Sequence, residues 1–169
     1  AGSGILHEEY HSENFAKQGG NLRMVQLWVN LPAKHKMVQP GYQAIFNHQI
    51  PTFELENHLG SGRVIAGSYD EHQGPAKTFT PLNVIDFTFK KGTCVTIPAP
   101  EGWNTSLVIM HGAIQVDEGS IARDAQMLMF SPKGRDIKVT AIEDSVALFL
   151  SGEPIDEPIV GYGPFVMNT

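Results

Sequence analysis

The chain has 169 residues, with 41% apolar and 18% charged side chains and a formal net charge of -6. That length supports one domain with a sizeable core, and the balance excludes a disordered chain. An acidic chain whose tightest basic pair is Lys90-Lys91 is not expected to bind nucleic acid directly, and no apolar run is long enough for a membrane-spanning helix.

Cys94 is the only cysteine, so no intrachain disulfide can form. A single thiol suits a reducing compartment, and a cytoplasmic location is expected, or a nuclear one for a eukaryotic source. No signal peptide is visible. The chain begins at Ala1 without a methionine, which suggests processing or excision from a longer protein.

The first segment, Gly4-Ile5-Leu6-His7-Glu8-Glu9-Tyr10-His11, has two incompatible readings. On a strand, His7, Glu9 and His11 share a face and offer imidazole and carboxylate to a metal such as iron. On a helix, His7 and His11 share a face, and the string reads H-E-x-x-H, with two zinc ligands and Glu8 as the base of a metalloprotease. Spacing alone does not separate either reading from ordinary polar side chains on the surface.

Residues 24–31 alternate, with Val25, Leu27, Val29 and Leu31 on one side, which predicts a strand. Pro32-Ala33-Lys34-His35-Lys36-Met37 predicts one helical turn, stopped by Pro40-Gly41. Further strands are predicted at 50–55, 63–69, 83–89, 93–98, 106–116, 127–130, 137–142 and 146–150. Pro100-Glu101-Gly102 and Pro132-Lys133-Gly134 read as turns, and Glu118-Gly119-Ser120 as a hairpin turn. The pattern predicts an all-β fold with a jelly roll over about residues 50–150. Cys94 and His111 are expected inside, Trp28 and Trp103 are expected to pack, and Asp70-Glu71-His72 is expected to be a solvated loop. There is no phosphate-binding glycine loop and no nucleophile elbow.

Several strings carry a family likeness. Gly4-Ile5-Leu6-His7-Glu8-Glu9 resembles the Gly-Ile-x-His-x-Glu segment of the pirin family. Gln26-Leu27-Trp28-Val29-Asn30-Leu31-Pro32-Ala33-Lys34 resembles its Gln-Leu-Trp-Val-Asn-Leu signature. Gly152-Glu153-Pro154-Ile155 and Gly163-Pro164-Phe165-Val166-Met167-Asn168-Thr169 resemble its closing motif. The resemblance implies a bicupin: two cupin-type double-stranded β-helices, of which the second barrel is mostly present. Residues 1–44 would be the C-terminal part of the first barrel plus a linker, and residues 45–169 a second, metal-free barrel. Pro100 to Ser106, where cupin metal motifs place paired histidines, contains none.

The resemblance further implies one Fe(II) per intact protein, held in the first barrel by a His-x-His pair and by the His and Glu of the matching segment. Carried over, His7 and Glu9 are the metal ligands present, and Glu9 is also a catalytic base toward a flavonol hydroxyl. The sequence has no His-x-His pair; His35, His48, His58, His72 and His111 stand singly, so the site is incomplete in this chain. Some relatives of this kind are quercetin 2,3-dioxygenases, and some nuclear ones are iron-dependent co-regulators. The implied partners are therefore a small aromatic substrate such as a flavonol or, in a non-enzymatic redox-sensing role, another protein. Self-association is expected through a truncated first barrel, whose edges would lie near residues 6–10 and 24–31.

Overall fold

Glycine and proline punctuation cuts the middle of the chain into short strands. The computed structural model describes residues 2–169, in two units: residues up to Tyr42 together with Ile155–Thr169, and Gln43–Pro154. The strands of the Gln43–Pro154 unit are β1 (Thr52–Glu54), β2 (Gly60–Ala66), β3 (Ser68–Tyr69), β4 (His72–Gln73), β5 (Leu82–Phe89) and β6 (Cys94–Pro98). They continue with β7 (Asn104–His111), β8 (Ala113–Val116), β9 (Ile121–Arg123), β10 (Met127–Met129), β11 (Asp136–Ala141) and β12 (Ser145–Gly152).

Six of these strands form one sheet in the order β1-β2-β5-β12-β7-β10, and four form another in the order β6-β11-β8-β9. The pairing within both sheets is antiparallel. This is the expected all-β jelly roll of cupin type. Alternation sets the two inner faces. In β5, Ile85, Phe87 and Phe89 are buried, and across the ladder Phe87 sits opposite Ala147 and Gly62. Ile97, Ile114 and Val139 close the core from the smaller sheet. Phe87 stacks on Phe89 at 5.4 Å and meets Phe53 edge-on at 6.0 Å. Each fully buried phenylalanine contributes about 1.5–3 kcal/mol of transfer free energy.

Two glycines are required by geometry. The Phe53 ring lies where a Cβ on Gly62 would stand. Gly112, at φ +86°, packs against the Asp144 carbonyl and divides the predicted run 106–116 into β7 and β8. The hairpin predicted at Glu118-Gly119-Ser120 joins β8 to β9. Strand β9 lies in a segment where no strand was predicted. Asp70-Glu71 turns the short β3–β4 hairpin, with Asp70 at φ 48°.

The other unit is built differently. Helix α1 (Glu13–Gln18) is capped by Ser12, whose Oγ accepts from the Phe15 amide at 3.2 Å. Helix α2 (Ala33–Lys36) begins after Pro32, as expected, and Glu157 Oε2 accepts from the Ala33 amide at 2.6 Å. A carboxylate at a helix N-terminus also faces the positive end of the peptide dipoles. Asn168 Nδ2 donates to the same Glu157 oxygen at 3.0 Å, beside a hairpin of β13 (Val160–Tyr162) and β14 (Phe165–Met167). Lys36 is buried and donates to Asn30 Oδ1 at 2.7 Å.

Residues 24–31 depart from expectation. They alternate but join no sheet, and Val25, Leu27, Trp28 and Val29 are exposed. Alternation supplies a face; a strand also needs a neighbour to satisfy its backbone, and among the described residues no strand pairs with this run. Trp28, 65% exposed, is correspondingly not a packing residue. Among the described residues no helix is long and apolar enough to cross a membrane.

Candidate metal centre

His7 and Glu9 lie in a stretch that is neither helix nor strand, ahead of α1. Residues two apart in extended backbone point to one side. Here His7 Nε2 and Glu9 Oε1 approach to 3.7 Å, and both side chains are 65% exposed. As an ion pair in water, such a contact adds little stability. As a donor set it offers a neutral imidazole nitrogen and a carboxylate oxygen, a combination that suits divalent iron.

The pair fits a metal in chemistry but supplies only part of a coordination shell. Among the described residues no group of three or more His, Cys, Asp or Glu side chains converges. Their exposure leaves both donors free to be joined by others.

The H-E-x-x-H reading fails on geometry. The helix it needs does not form over residues 7–11, since α1 begins only at Glu13. The three side chains it would join are engaged separately. His7 faces Glu9, and Glu8 Oε2 accepts from the Tyr10 hydroxyl at 2.7 Å. His11 stacks on Phe15 at 5.4 Å. The bond to Glu8 stabilises the protonated phenol and pushes the Tyr10 pKa above its ordinary 10.0.

Three further expectations are corrected or refined. Cys94 is exposed, on a position of β6 that faces away from the core, and its sulfur meets Thr140 Oγ1 at 3.7 Å. His111 is also at the surface. It ends β7 just before Gly112 and places Nδ1 3.3 Å from Asp124 Oδ2. His72 belongs to the β3–β4 hairpin and is half-buried, with its ring 5.4 Å from Phe53.

Trp103 lines a cavity of about 200 Å³ at one end of the jelly roll, with Thr105, Asp117, Phe130, Lys133 and Asp136. Its walls come from the ends of β6, β8 and β10 and the starts of β7 and β11. The sequence marked this end only through its turns, Pro100-Glu101-Gly102 and Pro132-Lys133-Gly134.

Comparison with known proteins bears on both units. A family model described as the pirin C-terminal cupin domain matches residues 84–169. Over its whole length the chain is 47% identical to a Pseudomonas aeruginosa protein named "Putative quercetin 2,3-dioxygenase", of which it covers 59%. A Thermoplasma acidophilum protein with the same descriptive name is 32% identical over 185 aligned residues, and the chain covers 70% of it. Among solved structures, a quercetin 2,3-dioxygenase from Acinetobacter baumannii matches the whole chain at 47% identity with a TM-score of 0.97; the match covers 59% of that protein. The chain thus spans about three fifths of the first curated relative and of that solved structure. The matched family domain, together with an identity above 30% across most of a relative's length, shows that the chain belongs to the pirin family.

Proposed function

We propose that the whole protein is a non-heme iron oxidoreductase acting on a flavonol-type substrate, with His7 and Glu9 as two of its metal ligands. The observation that carries this reading is the 3.7 Å approach of His7 Nε2 and Glu9 Oε1 in an accessible, non-helical segment. Membership of the pirin family and the names of its relatives support the substrate class. Bound iron would supply the redox centre for dioxygen and a positive charge that favours an ionised substrate. His7 would hold the metal through a neutral ring nitrogen. Glu9 would bind with one oxygen and take the proton of a flavonol hydroxyl with its carboxylate. The remaining ligands would complete the shell from elsewhere in the whole protein. The single cysteine fits a reducing, cytoplasmic setting.

Elemental analysis and aerobic flavonol turnover of the full-length protein test this reading. His7→Ala should lower the iron content well below one per protein, and Glu9→Gln should lower turnover more than it lowers iron. Full iron content in the double variant would end the ligand assignment.

A second reading is favoured by a different observation. Val25, Leu27, Trp28 and Val29 are exposed together in one short segment, as a protein-binding surface would be. In that case the protein is a redox-sensing or regulatory module. Full-length protein that holds iron but leaves flavonols unchanged under air would select it.

A further inference from the structure

The β3–β4 hairpin stands outside both sheets of the jelly roll, as a sheet of two strands. Those strands, Ser68–Tyr69 and His72–Gln73, are too short to be stable without support from the rest of the unit. Tyr69 sits directly opposite His72, and both rings rest on Phe53, with centroid distances of 4.4 and 5.4 Å. Tyr69 also meets Phe87 edge-on at 5.8 Å. Phe53 and Phe87 belong to the buried core, so the hairpin covers aromatic side chains of the barrel interior.

Two opposing effects act on this cover. Ring contacts with Phe53 and Phe87 hold it down. Against them stands His72 Nδ1, which is buried without a hydrogen-bond partner and is the one such side-chain nitrogen or oxygen among the described residues. A buried polar atom in that state has lost its hydration and recovers it when the hairpin lifts. The rings gain from closing and the imidazole gains from opening, by effects of comparable size.

The attachment is slight. Among the described residues, one hydrogen bond joins residues 68–73 to another strand of the barrel, from the Ser68 amide to Asn83 Oδ1 at 2.9 Å. Gly67 precedes Ser68 at φ +76°, a conformation that favours glycine and suits a pivot. The Gly74 amide and Gln73 Nε2 both donate to the Gly67 carbonyl, at 2.8 and 2.9 Å. Both legs of the hairpin are therefore tied together at their base, and the hairpin can turn there as a unit.

We propose that residues 68–73 form a hinged flap over the interior of the second barrel, which opens about Gly67 while both sheets stay folded. Opening separates Tyr69 and His72 from Phe53, breaks the Ser68–Asn83 bond, admits water to His72 Nδ1 and uncovers the Phe53 and Phe87 rings. The motion is independent of the iron chemistry assigned to His7 and Glu9.

Native-state hydrogen exchange of the whole chain tests the flap, with the amides of β5 as the reference for global unfolding. The Ser68 amide should exchange far faster than those of β5, at a rate that low denaturant barely changes, because opening exposes little surface. His72→Phe keeps a ring on Phe53 and removes the unpartnered nitrogen, so it should slow Ser68 exchange by about tenfold. Tyr69→Leu removes the stacking and should speed it severalfold. An intact cooperative thermal transition would confirm that each variant is folded. In the wild-type chain the nitrogen resonance of His72 Nδ1 should be that of a ring nitrogen without a hydrogen bond. Exchange of Ser68 only together with β5, unchanged or faster exchange in His72→Phe, or a hydrogen-bonded Nδ1 held by a resident water would each overturn the proposal.

Discussion

Two alternating segments of this chain behave in opposite ways. In β5, Ile85, Phe87 and Phe89 turn inward at 1% exposure or less, between β2 and β12. In residues 24–31, Val25, Leu27 and Val29 alternate just as regularly, yet they are 44%, 41% and 55% exposed and belong to no sheet. The local pattern is equivalent, and the difference lies in what surrounds it. Strand β5 has a hydrogen-bonded neighbour on each side and the smaller sheet over its inner face. Burial and backbone pairing come from those partners. Alternation therefore reports which face a segment can bury, and tertiary context decides whether it does.

The largest effect should separate the two segments directly. Phe87→Ala removes a fully buried ring that touches Phe53 and Phe89, and should cost about 3–5 kcal/mol in denaturant unfolding. Val25→Ala, at an exposed position, should stay within about 0.5 kcal/mol. Hydrogen exchange gives a second view. Amides of β5 and β12 should open only with global unfolding, whereas those of residues 24–31 should exchange far faster. Comparable losses from the two alanines would mean that residues 24–31 carry core packing after all.

A smaller effect sharpens the account of the core. Gly62→Ala places a methyl group where the Phe53 ring lies, and Phe53 is itself held between Tyr69 and Phe87. Overpacking of this kind should cost about 1–3 kcal/mol, read as a lowered thermal midpoint. Gly62→Ala combined with Phe53→Leu should recover part of the loss. No loss from the single variant would show that the Phe53 ring moves aside freely.

The same contrast explains what could be read from the sequence. Short alternating runs bounded by Gly and Pro identified most strands of the two sheets, because these strands are half-buried and their patterns reflect that. His7 and Glu9 were singled out by family likeness, since their spacing alone is common, and the structure brings the two side chains to 3.7 Å. Other features depend on non-local partners. Cys94 looked buried from composition, but its parity in β6 turns it outward. His111 looked internal because an apolar run preceded it, yet it is the last residue of β7, where the strand leaves the core for Gly112. Nothing local to Glu157 reveals that it caps a helix 124 positions earlier. The cavity near Trp103 gathers the ends of five strands and has no contiguous signature.

Exposed apolar side chains without strand partners also predict behaviour at concentration. Val25, Leu27, Trp28 and Val29 present an apolar surface together with unpaired backbone, a combination that recruits other chains. The isolated chain should sediment with a concentration-dependent mass. Val25→Lys with Val29→Lys should shift it toward monomer without changing unfolding stability by more than about 0.5 kcal/mol. Substitutions on the sheets of the Gln43–Pro154 unit should have no such effect. A chain that remains monomeric at high concentration would place no interface on residues 24–31.

The smallest predicted effect contrasts one tyrosine from each unit. Both hold their protons above the ordinary 10.0, for different reasons. Exposed Tyr10 does so because its hydroxyl donates to Glu8. Tyr69, half-buried and stacked on Phe53 at 4.4 Å, does so through desolvation first and the negative charge of Asp70 second. A raised native pKa means that the unfolded chain ionises first as pH rises. Stability should therefore be level below about pH 10 and fall as pH climbs through the native value. Tyr69 should carry most of that fall, because its shift is tied to burial that unfolding abolishes. The Tyr10 contact is local, between residues two apart at the surface, and can persist in the unfolded chain. Tyr69→Phe keeps the ring stacking and should flatten the alkaline decline in denaturant midpoints, whereas Tyr10→Phe should leave it in place. Phenolate absorbance would separate the causes. Glu8→Gln should return one tyrosine to its ordinary range without affecting the other, and Asp70→Asn should lower the second only in part, since desolvation remains. An alkaline decline equally steep in Tyr69→Phe would assign it to groups outside the β3–β4 hairpin.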